Sequence, residues 1–289
     1  MYGKIHWKFA AVVCLGLLLA PACFVRKRVI APPPGQPQNR RLLTATKPEL
    51  IDRIHAIFDP IQNFSIRADL SPSVGSIYTG TLTDYATIRA YILFTRPDDI
   101  RVVGLDPIVH SSTIFDMVSV GNDFRVSIPS KNAFIEGAND APPKSKNKLE
   151  NLRPEAFLHA LIVEPPAPGD FTVFEDDTDE TTALYIILIL HQENGQLLLA
   201  RSIAFDRYTL EISREVTFNA EATIISETRY QDWKPFGTIS YPSTIKIRRP
   251  LDGYEMTIDV LEMKANSPEV TADKFVLEQP SGTKLTVVK

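Results

Sequence analysis

From Phe64 onward the chain alternates between apolar and polar residues in short runs, and turn residues separate one run from the next. In one such run Ile88, Ile92 and Phe94 fall on the same side of an extended chain, which is the period of a half-buried strand. The predicted strands are residues 64–70, 78–85, 87–94, 101–105, 113–120, 124–128, 133–136, 183–191, 196–205, 209–218, 222–230, 243–248, 254–263 and 275–279. Most of them follow one another without an intervening helix, so the pattern predicts antiparallel meanders. Between residues 183–191 and 196–205, Glu193-Asn194-Gly195 predicts a tight hairpin turn with Asn-Gly at its centre.

Two segments show helical spacing instead. In residues 48–58 the apolar positions form one stripe, Thr46 can cap the helix, and a proline and a glutamate suit its first turn. Residues 154–163 form the second predicted helix, and residues 140–148 and 164–180 are predicted loops.

About a dozen antiparallel strands in one sheet accumulate twist, so the sheet is unlikely to stay flat. We therefore expect a mostly β (α+β) fold whose curved sheet forms a barrel or half-barrel, with the helices inside or across its concave face.

The N-terminus has the pattern of an export signal. Lys4 and Lys8 precede an uncharged apolar run at residues 9–19, which is too short for an ordinary membrane-spanning helix. Small residues then lead to Cys23 in the order Ala20-Pro21-Ala22-Cys23, which resembles a bacterial lipobox. We expect residues 1–22 to be a signal peptide and Cys23 to be a lipid attachment site. Simple secretion or an uncleaved anchor is the alternative.

Residues 23–47 are a predicted tether, because they show neither strand nor helix period and contain four prolines between positions 32 and 37. Residues 48–289 are predicted to form a single domain. The whole chain holds 22 prolines and 13 glycines, which favours short elements and many turns over glycine-rich phosphate loops. Its formal net charge of −4 provides no basic surface for a nucleic-acid backbone, so we expect no nucleic-acid partner.

The residue patterns do not indicate catalysis or a metal site. Both cysteines, Cys14 and Cys23, precede the predicted domain, and the five histidines lack a metal-binding spacing. The acidic run at residues 175–180 could attract Ca²⁺, but it lacks the glycine and the distal glutamate of an EF-hand loop, so a solvated loop is the preferred interpretation. We expect a non-enzymatic protein without a cofactor or metal. An envelope hydrolase is the remote alternative.

Three segments resemble turns of the LolA/LolB-like lipoprotein-carrier superfamily. They are Arg96-Pro97-Asp98-Asp99-Ile100-Arg101, the hairpin from Phe115 to Phe124, and the C-terminal segment from Asp273 to Thr283. The order of leader, helix, meander, second helix and second meander is also similar, over about residues 49–289. The resemblance implies an unclosed β-barrel with a helical lid, whose apolar cavity holds acyl chains.

Apolar residues of alternating strand positions and of the two helices would line such a cavity. The candidate wall and lid residues are Ile54, Phe58, Ile88, Ile92, Phe94, Val103, Phe157, Leu161, Leu188, Leu190, Leu199, Ile203 and Phe205. Ordinary core packing is the alternative role for each of them. Ile108 and Val109 lie between turn residues and are candidate membrane contacts, and Phe171, Val173 and Phe174 are a second candidate group.

Together these observations predict a membrane-anchored periplasmic lipoprotein that binds acyl chains, as a lipid or lipoprotein carrier or receptor in outer-membrane biogenesis. Its expected partners are acyl lipid or lipoprotein acyl chains, the membrane through Cys23, and a periplasmic carrier protein. Phe24 is not the aspartate that often signals inner-membrane retention, so the expected location is the outer membrane, facing the periplasm. The alternative is a non-enzymatic envelope signalling or structural module that uses the same half-barrel to bind a protein partner.

Overall fold

Strands dominate the computed structural model, which describes residues 41–76, 80–106, 108, 112–139 and 154–288. The helices are α1 (Lys47–Phe58) and α2 (Pro154–Leu161). The strands are β1 (Asn63–Ser76), β2 (Thr81–Asp84), β3 (Ile88–Thr95), β4 (Asp99–Leu105), β5 (Thr113–Val120), β6 (Asp123–Ile128), β7 (Ala133–Ala138), β8 (Phe171–Thr178), β9 (Ala183–Glu193), β10 (Gln196–Asp206), β11 (Ile212–Phe218), β12 (Ile224–Phe236), β13 (Ile239–Arg249), β14 (Tyr254–Ala265) and β15 (Lys284–Val288). The predicted signal peptide, Cys23, most of the tether and the predicted loop 140–148 lie outside the described residues.

The described strands join into one sheet. Its order is β15-β7-β6-β5-β4-β3-β1-β14-β13-β12-β11-β10-β9-β8, and β2 pairs with β1 beside this path. Among these strands the pairing is antiparallel except for β15, which runs parallel to β7. Strands β8 and β15 lie at opposite ends of the order, so the sheet is curved but not closed into a barrel. The predicted mostly β class with an unclosed sheet is confirmed.

Two local predictions are confirmed at the level of single residues. Helix α1 begins at a capping interaction in which the backbone N–H and the hydroxyl of Thr46 both donate to Glu49 Oε2, at 2.7 and 2.8 Å. This contact, first through the backbone N–H, lowers the pKa of Glu49. Asn194 and Gly195 have φ values of 50° and 79° and connect β9 to β10 in the predicted tight hairpin.

Two predictions of secondary structure are wrong. The predicted loop 164–180 contains β8, an edge strand whose acidic second half pairs with β9. Edge strands commonly carry charged side chains that prevent pairing with other chains, so their sequence need not show the apolar alternation of a buried strand. The predicted strand 275–279 does not join the sheet. Its Leu277 packs instead with Val118 and Phe134 on the convex face, and Arg101 donates to the Lys274 carbonyl at 2.6 Å.

One apolar core fills the concave face of the sheet. It takes inward-facing residues from both halves of the sheet and from both helices. The rings of Phe64 and Phe94 pack across β1 and β3 with centroids 5.0 Å apart. Leu50 and Ile54 of α1 and Phe157 of α2 are almost completely buried. Because distant strands contribute to the same cluster, the sheet bends around the two helices.

Gly137 marks a close approach between β7 and β15. A Cβ atom at this position would lie 2.4 Å from the carbonyl oxygen of Val288, which is shorter than real contacts allow. We expect Gly137→Ala to displace β15 and to lower the free energy of unfolding by about 1–3 kcal/mol. Hydrogen exchange checks this: the β15 amides should exchange faster than in Ala138→Gly, a change at the neighbouring residue that adds no atom. Unchanged protection of β15 would contradict the prediction.

Candidate functional site on the concave face

Helix α1 is fixed to the sheet at both of its ends. At its start, Lys47 Nζ donates to the carbonyl oxygen of Thr172 in β8 at 3.0 Å. At its end, the Arg96 guanidinium donates to the carbonyl oxygens of Phe58 and Ile61 at 2.6 and 2.5 Å, and it lies 3.8 Å from the centre of the Phe58 ring. A guanidinium at a helix C-terminus satisfies carbonyls that have no partner within the helix. The Arg96 motif therefore has a structural role here.

Helix α2 crosses the concave face and packs against β4, β5 and β13. Its side chains are almost all buried, including Phe157 and Leu161. The hydroxyl of Tyr241 donates to the carbonyl oxygen of Leu161 at 2.6 Å, and Arg201 Nη2 donates to the carbonyl oxygen of Pro165 at 3.1 Å. These two contacts attach the C-terminal end of α2 and the following residues to the sheet.

An apolar seam lies where the two helices meet over β12 and β13. It is lined by Ile57, Phe58, Ile61, Leu161, Ile162, Val163, Tyr230, Trp233, Tyr241 and Pro242. Its free volume is about 20 Å³, which is room for about one water molecule. The seam is therefore closed to an acyl chain unless the helices separate.

A charged pair is buried on the concave wall beside this seam. Strand pairing places Glu215 opposite Ile203 and Thr228, on the face that carries the core. Its carboxylate accepts a hydrogen bond from Arg201 Nη1 at 3.0 Å and one from the Tyr230 hydroxyl at 3.3 Å. Burial raises the pKa of Glu215, and the Arg201 charge opposes this shift. Burial also raises the pKa of Tyr230 far above its usual value.

His159 lies on α2 and pairs with Glu155 one turn earlier in the same helix. Its Nε2 lies 3.4 Å from Glu155 Oε1, and its side chain is 57% exposed. The hydrogen bond to Glu155 raises the pKa of His159, and the charges of Glu155, Glu164 and Glu215 add to the increase. The charged form of this histidine is therefore stabilised in the folded protein.

His159 should make stability depend on pH. A group whose pKa is raised on folding adds stability that is fully present below its unfolded pKa and is lost as pH rises through its folded pKa. We expect the free energy of unfolding to fall more steeply between about pH 6 and pH 8 for the natural protein than for His159→Gln. Glu155→Gln removes the main cause of the shift and should flatten the same curve. Equal slopes in urea unfolding for all three proteins would contradict this prediction.

Nine of the thirteen candidate cavity residues lie on the concave side. They are Ile54, Phe58, Ile88, Ile92, Phe94, Phe157, Leu161, Ile203 and Phe205, which belong to the core or pack against it. Their assignment to a ligand site stays a prediction, because each packs in the closed core.

The other four, Val103, Leu188, Leu190 and Leu199, were assigned to the wrong face. Val103 alternates with the buried Val102, and Leu188 alternates with the buried Ile187. Leu190 and Leu199 pair with each other on the face that also carries Leu188. Residues 184–190 are all apolar, so alternation could not show which face of β9 points inwards.

Sequence reasoning did not single out Arg201, Glu215, Tyr230 or Tyr241. A signal for Arg201 was present, since it is a charged residue within the mainly apolar β10, whereas β11 around Glu215 is largely polar. Recognising it requires the register of β10, which shifts between Leu199 and Arg201. Only the folded sheet therefore identifies the pair.

The candidate membrane contacts are dispersed. Ile108 is 88% exposed, and Val109 lies outside the described residues. Phe171 and Val173 are exposed on β8, whereas the Phe174 ring packs against Tyr185 with centroids 5.2 Å apart. In the described part of the chain, no helix has the length and apolar character needed to span a membrane. The same residues contain no cluster of three or more histidine, cysteine or acidic side chains suited to a metal ion.

Comparison with solved structures identifies the architecture. A LolA superfamily protein from Nitrosomonas europaea superposes with a TM-score of 0.51 at 12% identity, over 80% of this chain and 100% of that chain. A DUF1329 family protein from Desulfovibrio piger superposes with a TM-score of 0.52 at 14% identity, over 78% of this chain and 94% of that chain. The fold is LolA-like. No protein-family profile matches the sequence, and a search of curated proteins gives no match.

Within this LolA-like fold, the segments that carried the resemblance hold elements together. Arg96 caps α1, as described above. Arg101 pairs with Asp116 through Nε–Oδ1 and Nη2–Oδ2 contacts of 2.9 and 2.6 Å and also binds the C-terminal segment. Arg125 donates to the Leu277 carbonyl at 3.2 Å on the same convex face. The resemblance therefore rests on residues that specify the fold.

Proposed function

We propose that this chain is a non-enzymatic, membrane-anchored envelope lipoprotein that binds acyl chains on its concave face. It would act as a lipid or lipoprotein carrier or receptor in outer-membrane biogenesis, facing the periplasm and anchored through Cys23. The observation that carries the proposal is the apolar seam between α1 and α2, whose lining residues are part of the apolar core of the concave face or pack against it. The LolA-like fold supports the class of function by analogy.

Hydrocarbon burial supplies enough free energy for such binding. Each buried methylene contributes about 0.8 kcal/mol, so about ten methylenes contribute roughly 8 kcal/mol before association costs. Those costs leave an affinity that is micromolar or weaker, which suits a carrier that must release its cargo. Neither a metal ion nor a nucleophile is needed for this exchange.

The acyl chain enters when α2 moves away from α1. Arg96 and Lys47 hold α1 at both ends, so α1 stays with the sheet. Opening requires α2 to break the Tyr241–Leu161 contact and the Arg201–Pro165 contact. Both contacts end on backbone carbonyls that water can solvate once the helix has moved.

Native mass spectrometry of the purified mature protein tests this function. We expect bound acyl lipid after mild purification, and saturable palmitate binding after lipid removal. A chain that purifies empty and does not bind palmitate would contradict the carrier function. Metabolic labelling with a radioactive fatty acid, compared between the natural chain and Cys23→Ser, tests the anchor separately.

The second candidate is an envelope signalling or structural module that binds a protein partner. The tightly packed concave face favours it, since the seam holds only about 20 Å³. The same experiment separates the two functions, because a partner-binding module has no need to bind palmitate.

A further inference from the structure

The convex face of β8, β9 and β10 carries apolar side chains at positions where solvent-facing strands are ordinarily polar. Strand pairing places Phe171 opposite Leu190, and Val173 opposite Leu188. On the other side of β9, Leu199 is also opposite Leu190. We call Phe171, Val173, Leu188, Leu190, Leu197 and Leu199 the edge patch. Phe171, Val173 and Leu197 are 51%, 49% and 53% exposed, and contiguous exposed apolar surface of this kind marks an interaction site.

The edge patch lies at the β8 end of the sheet, beside the β9–β10 turn. Strand β8 is the last strand of the sheet, so its outer side has no neighbouring strand among the described residues. Leu197 is two residues from Gly195 in the β9–β10 turn. A hairpin tip beside a sheet edge can enter an apolar layer while the rest of the domain stays in water.

The chain reaches the domain along the same edge. The Leu43 N–H donates to the carbonyl oxygen of Arg207 at 2.7 Å, and Arg207 Nη1 pairs with Asp176 of β8 at 3.2 Å. Lys47 then contacts the carbonyl oxygen of Thr172, between Phe171 and Val173. An anchor at Cys23 is separated from Arg41 by the 17 residues 24–40, which span at most about 60 Å when extended. A linker of that length allows the edge patch to contact the membrane that such an anchor would occupy.

The charged side chains beside the patch are mainly acidic, although Lys47 also lies close to it, at the Thr172 carbonyl. Glu175 follows Val173 on the same face of β8, and Glu193 adjoins the hairpin tip; both are exposed. Asp170 precedes Phe171 and pairs with His191 at 3.0 Å. Exposed carboxylates repel anionic head groups and attract the ammonium groups of zwitterionic lipids.

We propose that the edge patch docks on the hydrocarbon of a zwitterionic bilayer, the membrane that holds the N-terminal anchor. The inference rests on the proposed function as an anchored lipoprotein, but it concerns a different face from the acyl-chain seam. The six residues are aliphatic or phenyl groups without hydrogen-bonding atoms, which suits hydrocarbon better than the mixed polar surface of a protein partner.

Tryptophan fluorescence tests the docking directly. Phe171→Trp in the mature Cys23→Ser chain, which has no acyl anchor, is mixed with vesicles of phosphatidylcholine and phosphatidylethanolamine. We expect a blue shift and quenching by brominated lipid tails. Leu251→Trp, at a 58% exposed position in the β13–β14 turn, is the matched control and should show neither change beyond the background of Trp233. Equal spectra for the two variants would overturn the proposal.

Charged substitutions test the same face by loss of binding. In the same Cys23→Ser chain, Phe171→Asp with Val173→Asp should weaken vesicle partitioning at least tenfold, whereas Leu251→Asp should leave it unchanged. Zwitterionic vesicles are used because the basic tether residues 26–28, 40 and 41 would bind anionic vesicles without the edge patch. A double variant that partitions like the natural chain, or that changes only the oligomeric state, would overturn the proposal. Palmitate binding by the same Cys23→Ser chain is measured in parallel. If this chain binds vesicles but does not bind palmitate, only the acyl-chain function is contradicted.

Discussion

Replacing Phe157 with alanine is expected to lower the free energy of unfolding by about 3–5 kcal/mol and, at the same time, to increase stabilisation by a bound fatty acid. Phe157 is 1% exposed and joins α2 to the concave core, so its removal leaves a cavity beneath the helix. If the concave face binds acyl chains, that cavity accepts part of the chain without moving α2. Palmitate at about 100 times its dissociation constant adds roughly 2.7 kcal/mol to any protein that binds it folded. The Phe157→Ala variant should bind palmitate more tightly. At a fixed palmitate concentration its free energy of unfolding should therefore rise more than that of the natural protein.

Phe134 supplies the matched control for this prediction. It is also 1% exposed, but it packs with Val118 and Leu277 on the convex face. Phe134→Ala should lose about the same 3–5 kcal/mol and gain no extra benefit from palmitate. Urea unfolding of the natural protein and both variants, with and without palmitate, makes the comparison. Equal palmitate effects on the two variants would contradict acyl binding beneath α2.

Replacing Arg201 with methionine is expected to lower the free energy of unfolding by about 3–5 kcal/mol at neutral pH, because Glu215 would stay buried without its cation. The same change removes the hydrogen bond to the Pro165 carbonyl, which attaches the segment after α2. Burial already raises the pKa of Glu215, and the loss of the Arg201 charge raises it further. A carboxyl group whose pKa is raised on folding contributes stability that is present below its unfolded pKa. This contribution is lost as the pH rises through the folded pKa. Arg201→Met should therefore lower the free energy of unfolding less at about pH 5 than at about pH 8.

Two further variants show whether burial is the cause. Arg201→Met with Glu215→Met removes both charges and should recover most of the loss, since an apolar pair of similar volume can replace a buried ion pair. Arg67→Met breaks an exposed pair with Glu262, whose side chains are 38% and 47% exposed, and should cost less than about 1 kcal/mol. Urea unfolding at both pH values measures all three proteins. A similar small cost for Arg201→Met would show that the pair is not a buried electrostatic contact.

Much of the fold could be predicted because it follows from local pattern. The α1 stripe, its Thr46 cap and the Asn194-Gly195 turn all depend on residues a few positions apart. The class of fold follows from many alternating runs with few helices between them. Strand β8 was missed because its partner β9 supplies the apolar surface while β8 itself is half acidic. The segment 275–279 was misread because its apolar Leu277 packs on a sheet face outside the strand ladder.

The candidate site was less predictable than the fold. Period alone identified five inward-facing strand residues and four residues on the apolar faces of the helices, since most of these elements have one apolar and one polar face. It failed on Leu188, Leu190 and Leu199, where both faces of the local sheet are apolar. These misassigned residues form half of the edge patch, so the surface that we propose meets lipid includes part of β9, the strand with the least informative pattern.

By itself, the sequence determined the secondary-structure periods, the helix cap, the hairpin turn and the mostly β class, because each is decided by neighbouring residues. Only the tertiary structure decided the parallel pairing of β15 with β7, the inward face of β9, and the meeting of Arg201 with Glu215 and Pro165. These features depend on pairing between segments far apart in the chain and on a bulge that shifts the register of β10. Neighbouring residues do not encode such long-range pairing; it is fixed when the sheet folds around a shared core.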